Sequence, residues 1–266
     1  MKLSTVIFIT FLLAANSLFG NVAIINGLTQ VKSGTSGDVI QGEVVLLNTS
    51  NEEQRVVFEI NEALFSCSAP RLYTEINPHA QSSSTWFSAE VMDKVLVAKE
   101  KYVYKYTITI PNDQSLRGSY WNMLMVTIEK PIKEEALNDN VGLNTKLRYG
   151  VGIITNVNSL DEVNLDFDHA DLKDEAETSV KQLEVKVNNG GLFIEGVVLT
   201  LEIYDNEGNK VDEFSTDRNI VFPGACKNFY LNVSDLLPGD YQCILLADSR
   251  EEFAGTNLSL TIQSSH

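Results

Sequence analysis

The apolar positions of this chain fall in short runs rich in Val, Ile, Thr, Tyr and Phe, which clusters of Gly, Asn, Asp and Ser separate. Runs of this kind, bounded by turn-forming residues, predict β-strands. In the clearest run, 102–110, the side chains of Tyr102, Tyr104 and Tyr106 share one parity, and Ile108 continues it. Helical periodicity is nearly absent, and the best helical candidate, 171–183, has a poor apolar face. The pattern therefore predicts an all-β protein.

The spacing of the runs predicts two immunoglobulin-like β-sandwich domains in tandem. Seven or more short strands at this spacing are typical of such a sandwich, and a chain of 266 residues is long enough for two. We place the domains at 21–157 and 178–266, joined by an acidic linker at 158–177 whose like charges favour a solvated connector. The candidate strands of the first domain are 22–31, 42–48, 55–60, 71–76, 85–89, 94–98, 102–110, 119–129 and 145–156, with a polar loop at 132–144 before the last.

Two turn signals stand out in the second domain. The stretch from Tyr204 to Asn209 predicts a hairpin in which Gly208 supplies a positive φ. Pro238 and Gly239 precede Tyr241 and Cys243, which is the layout of a tyrosine corner. A simple turn followed by a strand with a core Tyr fits that stretch equally well.

The N-terminus has the pattern of a signal peptide, 1–20. Lys2 precedes an apolar run at 6–15 that is too short to span a bilayer, and cleavage is expected after Gly20. The alternative is a buried strand or an uncleaved anchor. No later run reaches the roughly 20 apolar residues of a membrane helix. We therefore expect a secreted or periplasmic protein.

The formal net charge is −16. A polyanion of this strength repels phosphate backbones and anionic lipid surfaces. Nucleic acid is thus not an expected partner, and membranes are expected only through a partner. The sequence does not fix the oligomeric state.

The three cysteines, Cys67, Cys226 and Cys243, leave at least one thiol unpaired or intermolecular. Strand parity opposes a bond between Cys226 and Cys243, although a bulge near Lys227 would permit one. Cys67 and His79 would suit a nucleophile and its base, but a small buried thiol and a surface imidazole explain them as well.

No catalytic, metal-binding or cofactor motif occurs in the sequence, so we expect no enzyme, no cofactor and no metal site. Asp166, Asp168, Asp171 and Asp174 vaguely resemble a calcium loop but lack the Gly at its sixth position. Calcium between the domains and a plain acidic connector both remain open.

The last strand of the first domain is the main candidate for partner binding. Leu147, Tyr149, Val151 and Ile153 share one parity, and Lys146 and Arg148 lie on the other. If this strand lies at a sheet edge, its unpaired backbone can accept a strand from a partner; the alternative is an interior strand with its apolar face inward. A separate candidate is a sugar-binding aromatic platform made of Trp86, Phe87, Tyr120 and Trp121, against an ordinary role for them in the core.

The order of the segments 84–87 (STWF), 95–102 (VLVAKEKY), 106–111 (YTITIP), 117–126 (RGSYWNMLMV) and 145–151 (TKLRYGV) resembles the N-terminal domain of bacterial pilus chaperones, and also that of WxL-interacting surface proteins. The later segments 199–208, 223–229 and 237–246 are similar to the C-terminal domain of such proteins. The resemblance implies a non-enzymatic, chaperone-like protein of the cell envelope that binds another secreted or surface protein by strand addition. Pilus chaperones hold a carboxylate with one basic residue on the first strand and one on the last; here the segment 22–31 has none, and only Lys146 and Arg148 are available. A surface adhesin or carbohydrate-binding module is the alternative function.

Overall fold

The structure is a computed structural model that describes residues 22–67, 71–75, 79–129, 146–159, 162–175 and 180–263. The expected signal peptide, 1–20, and the whole of the expected loop at 132–144 lie outside these residues. In the described part of the chain, no helix is long and apolar enough to cross a membrane. The described strands, in chain order, are β1 (Val22–Ile24), β2 (Thr29–Gly34), β3 (Val39–Asn48), β4 (Gln54–Leu64), β5 (Leu72–Thr74), β6 (Phe87–Ser88), β7 (Asp93–Leu96), β8 (Lys101–Thr109), β9 (Gly118–Glu129), β10 (Leu147–Val157), β11 (Leu165–Glu175), β12 (Val180–Asn189), β13 (Glu195–Tyr204), β14 (Lys210–Ser215), β15 (Asn219–Val221), β16 (Cys226–Asn232), β17 (Gly239–Ser249) and β18 (Glu252–Ile262).

The strands β1 to β10 form two facing sheets. One sheet has the order β1-β3-β8-β6, and the other has the order β2-β10-β9-β4-β5, with β7 also pairing with β4. The core between them takes the inward parity of each strand, as alternation requires. On β8 this parity is Tyr104, Tyr106 and Ile108, which are all buried, so the tyrosine parity of this strand is its inward face.

The strands β11 to β18 form the second pair of sheets. Their orders are β11-β12-β16 and β14-β13-β17-β18, with β15 pairing with β13. A separate core fills the space between them, with Leu199, Leu201, Phe229 and Leu245 among its buried side chains. The all-β class with two immunoglobulin-like sandwiches is therefore confirmed. The domain boundaries at 157 and 178 stay a prediction.

Part of the expected linker is a strand. β11 (Leu165–Glu175) pairs along its whole length with β12 (Val180–Asn189), so the interpretation as a solvated connector is wrong for these residues. The described residues of 171–183, the best helical candidate, likewise belong to β11 and β12 and form no helix. The register shifts between Phe167 and His169, which moves the apolar residues from one parity to the other. β11 lies at the edge of its sheet, where charged side chains protect a strand against aggregation. The composition of β11 therefore resembles that of a linker.

Both turn signals of the second sandwich are confirmed. β13 and β14 form the hairpin, and Gly208 has φ +85°. The hydroxyl of Tyr241 donates to the carbonyl of Leu237, four residues upstream, at 2.9 Å, which is the hydrogen bond of a tyrosine corner.

The first strand of the chain is divided between the two sheets of the first sandwich. β1 pairs antiparallel with β3, and then the chain turns at Gly27, which has φ +92°, and β2 pairs parallel with β10. β2 begins opposite Gly152, so it covers only the C-terminal half of β10. This crossing between sheets determines which part of β10 has a neighbour on only one side.

Candidate partner-binding site

β10 is an interior strand along one half and an edge strand along the other. Residues from Gly152 to Val157 lie between β2 and β9, whereas Leu147–Val151 pair only with β9 among the described residues. The edge proposed from the sequence thus exists, but for five residues rather than for the whole strand.

The free hydrogen-bonding groups of this edge belong to Arg148 and Gly150. The N–H of Gly152 points away from β9 and donates to the carbonyl of Leu28 at 2.9 Å. Because the direction of the backbone groups alternates along a strand, the N–H and C=O of Arg148 and Gly150 point to the same side. Among the described residues, no strand lies on that side of Arg148 and Gly150, because the neighbouring chain reaches β10 only at Gly152, through Leu28. We call these two residues and their outward backbone groups the open edge.

The apolar side chains predicted as partner contacts face the protein's own core. Val151 and Ile153 are fully buried in the first sandwich, and Tyr149 packs against it, with its hydroxyl donating to the carbonyl of Val22 at 2.9 Å. Leu147 shares this parity and is about a third exposed. Tyr149, Val151 and Ile153 are thus occupied in the protein's own core, and partner binding through the backbone of this strand stays a prediction.

Lys146 and Arg148 lie on the outer face, and each has an acidic neighbour. The Nζ of Lys146 is 2.6 Å from a carboxylate oxygen of Glu129, and the guanidinium of Arg148 is 3.0 Å from that of Glu59. Exposed pairs of this kind contribute about 0–1 kcal/mol each. Lys146 and Arg148 are therefore already paired in the free protein, and a ligand would have to compete with Glu129 and Glu59 for them.

A cleft of about 680 Å³ opens beside the open edge, between the two sandwiches. Its floor on the first sandwich includes Gly150 and Gly152, and its opposite wall comes from the chain around β15 and the start of β16. This volume lies within the range of ligand sites in proteins.

Aromatic rings line the inner end of the cleft. Phe65 stacks on Phe222 with ring centroids 3.6 Å apart, and Trp121 meets the edge of Phe222 at 4.9 Å. The indole N–H of Trp121 donates to the carbonyl of Ala63 at 2.8 Å, which fixes the orientation of the ring. These contacts join residues of both sandwiches in one apolar cluster.

The loop between β12 and β13 docks on the start of β9. The carbonyl of Leu192 accepts from the N–H of Ser119 at 2.9 Å, and the N–H of Ile194 donates to the hydroxyl of Ser119 at 2.8 Å. Gly118, with φ +118°, permits this approach, because a Cβ at this position would lie 2.6 Å from the carbonyl oxygen of Leu192. The width of the cleft is therefore set by backbone contacts as well as by side chains.

Three cationic side chains line the cleft: Arg71, Arg218 and Lys227. Arg71 lies over the ring of Phe65, Arg218 is 3.8 Å from Asp248, and Lys227 donates to the side-chain oxygen of Asn219 at 2.7 Å. Partial burial, and then the charge of Arg71, lower the pKa of Lys227. The cleft is thus a local concentration of positive charge in a chain whose formal net charge is −16.

Cys67 and Cys226, 159 residues apart, form a disulfide between the two walls of the cleft, with their Cα atoms 4.9 Å apart. The bond between Cys226 and Cys243, which the sequence left open, is not formed. Cys243 is a buried free thiol whose pKa is raised to about 11 by burial. Since Cys67 is oxidised, a nucleophilic role paired with His79 is also wrong.

His79 is partly buried in a polar cluster rather than fully exposed on the surface. Its ring stacks on Trp121 at 4.4 Å, its Nδ1 accepts from the N–H of Gln81 at 3.3 Å, and its Nε2 lies 3.4 Å from a carboxylate oxygen of Glu62. The other oxygen of Glu62 accepts from the hydroxyl of Ser82 at 2.8 Å. Burial lowers the pKa of His79, and the charge of Glu62 offsets this only in part.

The remaining candidates from the sequence take structural roles. Trp86 and Trp121 are buried, and Phe87 and Tyr120 pack against the first core, so no open aromatic platform forms. In the described part of the chain, no three His, Cys, Asp or Glu side chains come together as metal ligands. The site that the fold does assemble contains Arg71, Arg218, Lys227 and Phe222, which the sequence did not indicate, because only the docking of the two sandwiches brings them together.

Neither a protein-family model nor a curated protein matches this sequence. Among solved structures, the chain is similar to the class 5 fimbriae chaperone CfaA, with 12% identity and a TM-score of 0.49 over 91% of this chain and 100% of that one. It is also similar to the SafB chaperone of Salmonella enterica, solved with the SafA pilin, with 13% identity and a TM-score of 0.46 over 93% and 99%. The E. coli chaperone DraB is similar at 10% identity, with a TM-score of 0.44 over 91% and 96%. Each of these three solved structures is named as a chaperone.

Proposed function

We propose that the protein is a non-enzymatic, chaperone-like binding module of the bacterial cell envelope. It takes an extended segment of another secreted or surface protein as an added strand beside β10. The observation that carries this proposal is the open edge, where the backbone groups of Arg148 and Gly150 point toward a position at which no strand lies among the described residues. We expect it to work outside the cytoplasm, where the disulfide between Cys67 and Cys226 is stable.

The chemistry of the edge suits an added strand. Two N–H and two C=O groups offer about four hydrogen bonds, each of which contributes about 0.5–1.5 kcal/mol. The added strand would lie in line with β2 and would continue the sheet along Leu147–Val151. The cationic cleft beside it favours a segment that carries negative charge.

Proline substitution at the open edge tests this function. Within the described residues the N–H of Arg148 points away from β9, so Arg148→Pro removes one outward donor from an edge position that tolerates proline. Arg148→Ala is the matched control, because it also loses the contact with Glu59 but keeps the N–H. Each protein is fixed on beads and exposed to an envelope extract of its source organism, and bound proteins are identified by mass spectrometry.

We expect Arg148→Ala to retain the wild-type partner and Arg148→Pro to lose it, with unchanged melting temperatures. In the wild-type complex, hydrogen exchange at the amides of Arg148 and Gly150 should slow. A partner that binds both variants equally, and leaves these two amides exchanging freely, would show that the segment does not add at this edge.

A further inference from the structure

We propose that the cleft is a receptor for one side chain, an inference that rests on the proposed function. The segment added at the open edge inserts a large apolar side chain, aromatic by preference, into the cleft beside Met123 and over Gly152. An anionic group of the same segment is held by Arg218 and Lys227.

The floor of this receptor is made by two glycines on the face of β10 that looks into the cleft. A Cβ at Gly152 would meet only the carbonyl oxygen of Leu28, at 3.9 Å, so the space above this residue is open. A Cβ at Gly150 would lie 3.1 Å from the sulfur of Met123. Glycine within a strand weakens it, and often marks a place where a ligand or another backbone approaches closely. Here Met123 covers Gly150, and the open space above Gly152 forms a furrow beside the open edge.

The walls of the furrow are apolar and aromatic. Met123 and Trp121 are the β9 partners of Gly152 and Ile154, and Phe222 closes the far side. The thioether of Met123 is adaptable and makes favourable contacts with aromatic rings. A strand beside β10 alternates its side chains with the same period of two, so the residue opposite Gly150 points into this furrow. A ring at that position would meet Met123 and Trp121 with no Cβ of β10 in its way.

The positive charge at the mouth of the cleft favours an anionic group on the same segment. Arg218 and Lys227 lie on the second sandwich, and Arg71 faces them from the first. An anion entering between them gains attraction from all three, and it offsets the mutual repulsion of Arg71 and Lys227. In a chain that is strongly acidic as a whole, this local reversal of sign gives the cleft its preference for an anionic ligand.

An aromatic anion tests the receptor independently of strand addition. The probe is 8-anilinonaphthalene-1-sulfonate, and its neutral analogue N-phenyl-1-naphthylamine reports on the apolar part alone. Binding is followed by energy transfer from tryptophan, since Trp121 lines the site. We expect one saturable site per chain, with tighter binding of the sulfonate than of the neutral analogue.

Gly152→Val fills the furrow and should weaken binding of both probes by about tenfold or more, which corresponds to about 1.4 kcal/mol. Gly255→Val is the matched control, because it adds the same side chain to β18, away from the cleft, and should leave both affinities unchanged. Replacing Arg218 and Lys227 with Ala should bring the sulfonate affinity close to that of the neutral analogue, with Arg71 supplying the attraction that remains. If Gly152→Val does not fold, Gly152→Ala provides the smaller change, and its melting temperature is compared with that of the wild type.

A displacement assay tests whether a peptide segment binds at this receptor. Two synthetic hexapeptides compete with the sulfonate: Thr-Val-Phe-Val-Thr-Asp, and the same peptide with Ala in place of Phe. The Phe peptide should displace the probe at lower concentration. Equal displacement by the two peptides, or unchanged probe binding in Gly152→Val, would overturn the receptor. Arg148→Pro should leave probe binding intact, so a failure of strand addition is distinguishable from a failure of this inference.

Discussion

The contact between Gly118 and Leu192 makes the docking of the two sandwiches sensitive to a single methyl group. In Gly118→Ala, the new Cβ would lie 2.6 Å from the carbonyl oxygen of Leu192, which is inside van der Waals contact. The neighbour is backbone, so it cannot rotate away as the end of a flexible side chain can. We expect the loop between β12 and β13 to lift from β9 in this variant.

The expected cost has two parts. Alanine at a positive φ costs about 1–2 kcal/mol. Lifting the loop also breaks the hydrogen bonds of Ser119 with Leu192 and Ile194, and the loss of two such bonds costs about 1–3 kcal/mol. The free energy of unfolding should therefore fall by about 2–5 kcal/mol.

Gly208→Ala isolates the contribution of docking. Gly208 also has a positive φ, +85°, but a Cβ there would meet nothing within 4 Å, so only the conformational cost applies. Urea unfolding of both variants, followed by tryptophan fluorescence, measures the difference. If Gly118→Ala costs no more than Gly208→Ala, the loop does not rest on β9 as described, and the cleft is not fixed by this contact.

Two further predictions concern titration and the thiols. Burial holds the pKa of His79 in the folded protein below its ordinary value of 6.5, so on acidification this imidazole is protonated in the unfolded chain before it is protonated in the folded one. The free energy of unfolding should therefore fall as the pH drops below about 6.5. His79→Gln should reduce this loss, which urea unfolding at pH about 7.5 and about 5.5 measures. An undiminished pH dependence in that variant would assign the effect to other groups. Ellman's reagent should find no reactive thiol in the native protein, one after unfolding without reductant and three after reduction, whereas three thiols without reductant would disprove the bond between Cys67 and Cys226.

The strands that could be predicted are those with a clear apolar run. The run 102–110 appears in the structure as Lys101–Thr109, because its alternation leaves little freedom of register. The run 119–129 is buried on both faces and appears as Gly118–Glu129. β11 was missed for a physical reason. Its bulge between Phe167 and His169 shifts the apolar parity by one, and the charges of an edge strand conceal what remains of the pattern.

The site was predictable only as far as local sequence determines it. The parity of Tyr149 and Val151 on β10 was correct, but parity alone does not say which face meets the protein's own core. The pairing of Cys67 with Cys226 and the stacking of Phe65 on Phe222 join residues more than 150 positions apart. Contacts of this range depend on how the two sandwiches dock, and no local pattern encodes that arrangement.

The disulfide between Cys67 and Cys226 encloses more than half of the chain in one covalent loop. A protease that cuts the backbone once anywhere inside this loop produces two fragments that stay joined. Such a nicked protein would keep both walls of the cleft attached to each other, and would migrate as a single species until a reductant is added. The bond therefore makes the joint between the sandwiches tolerant of cleavage in the chain that connects them.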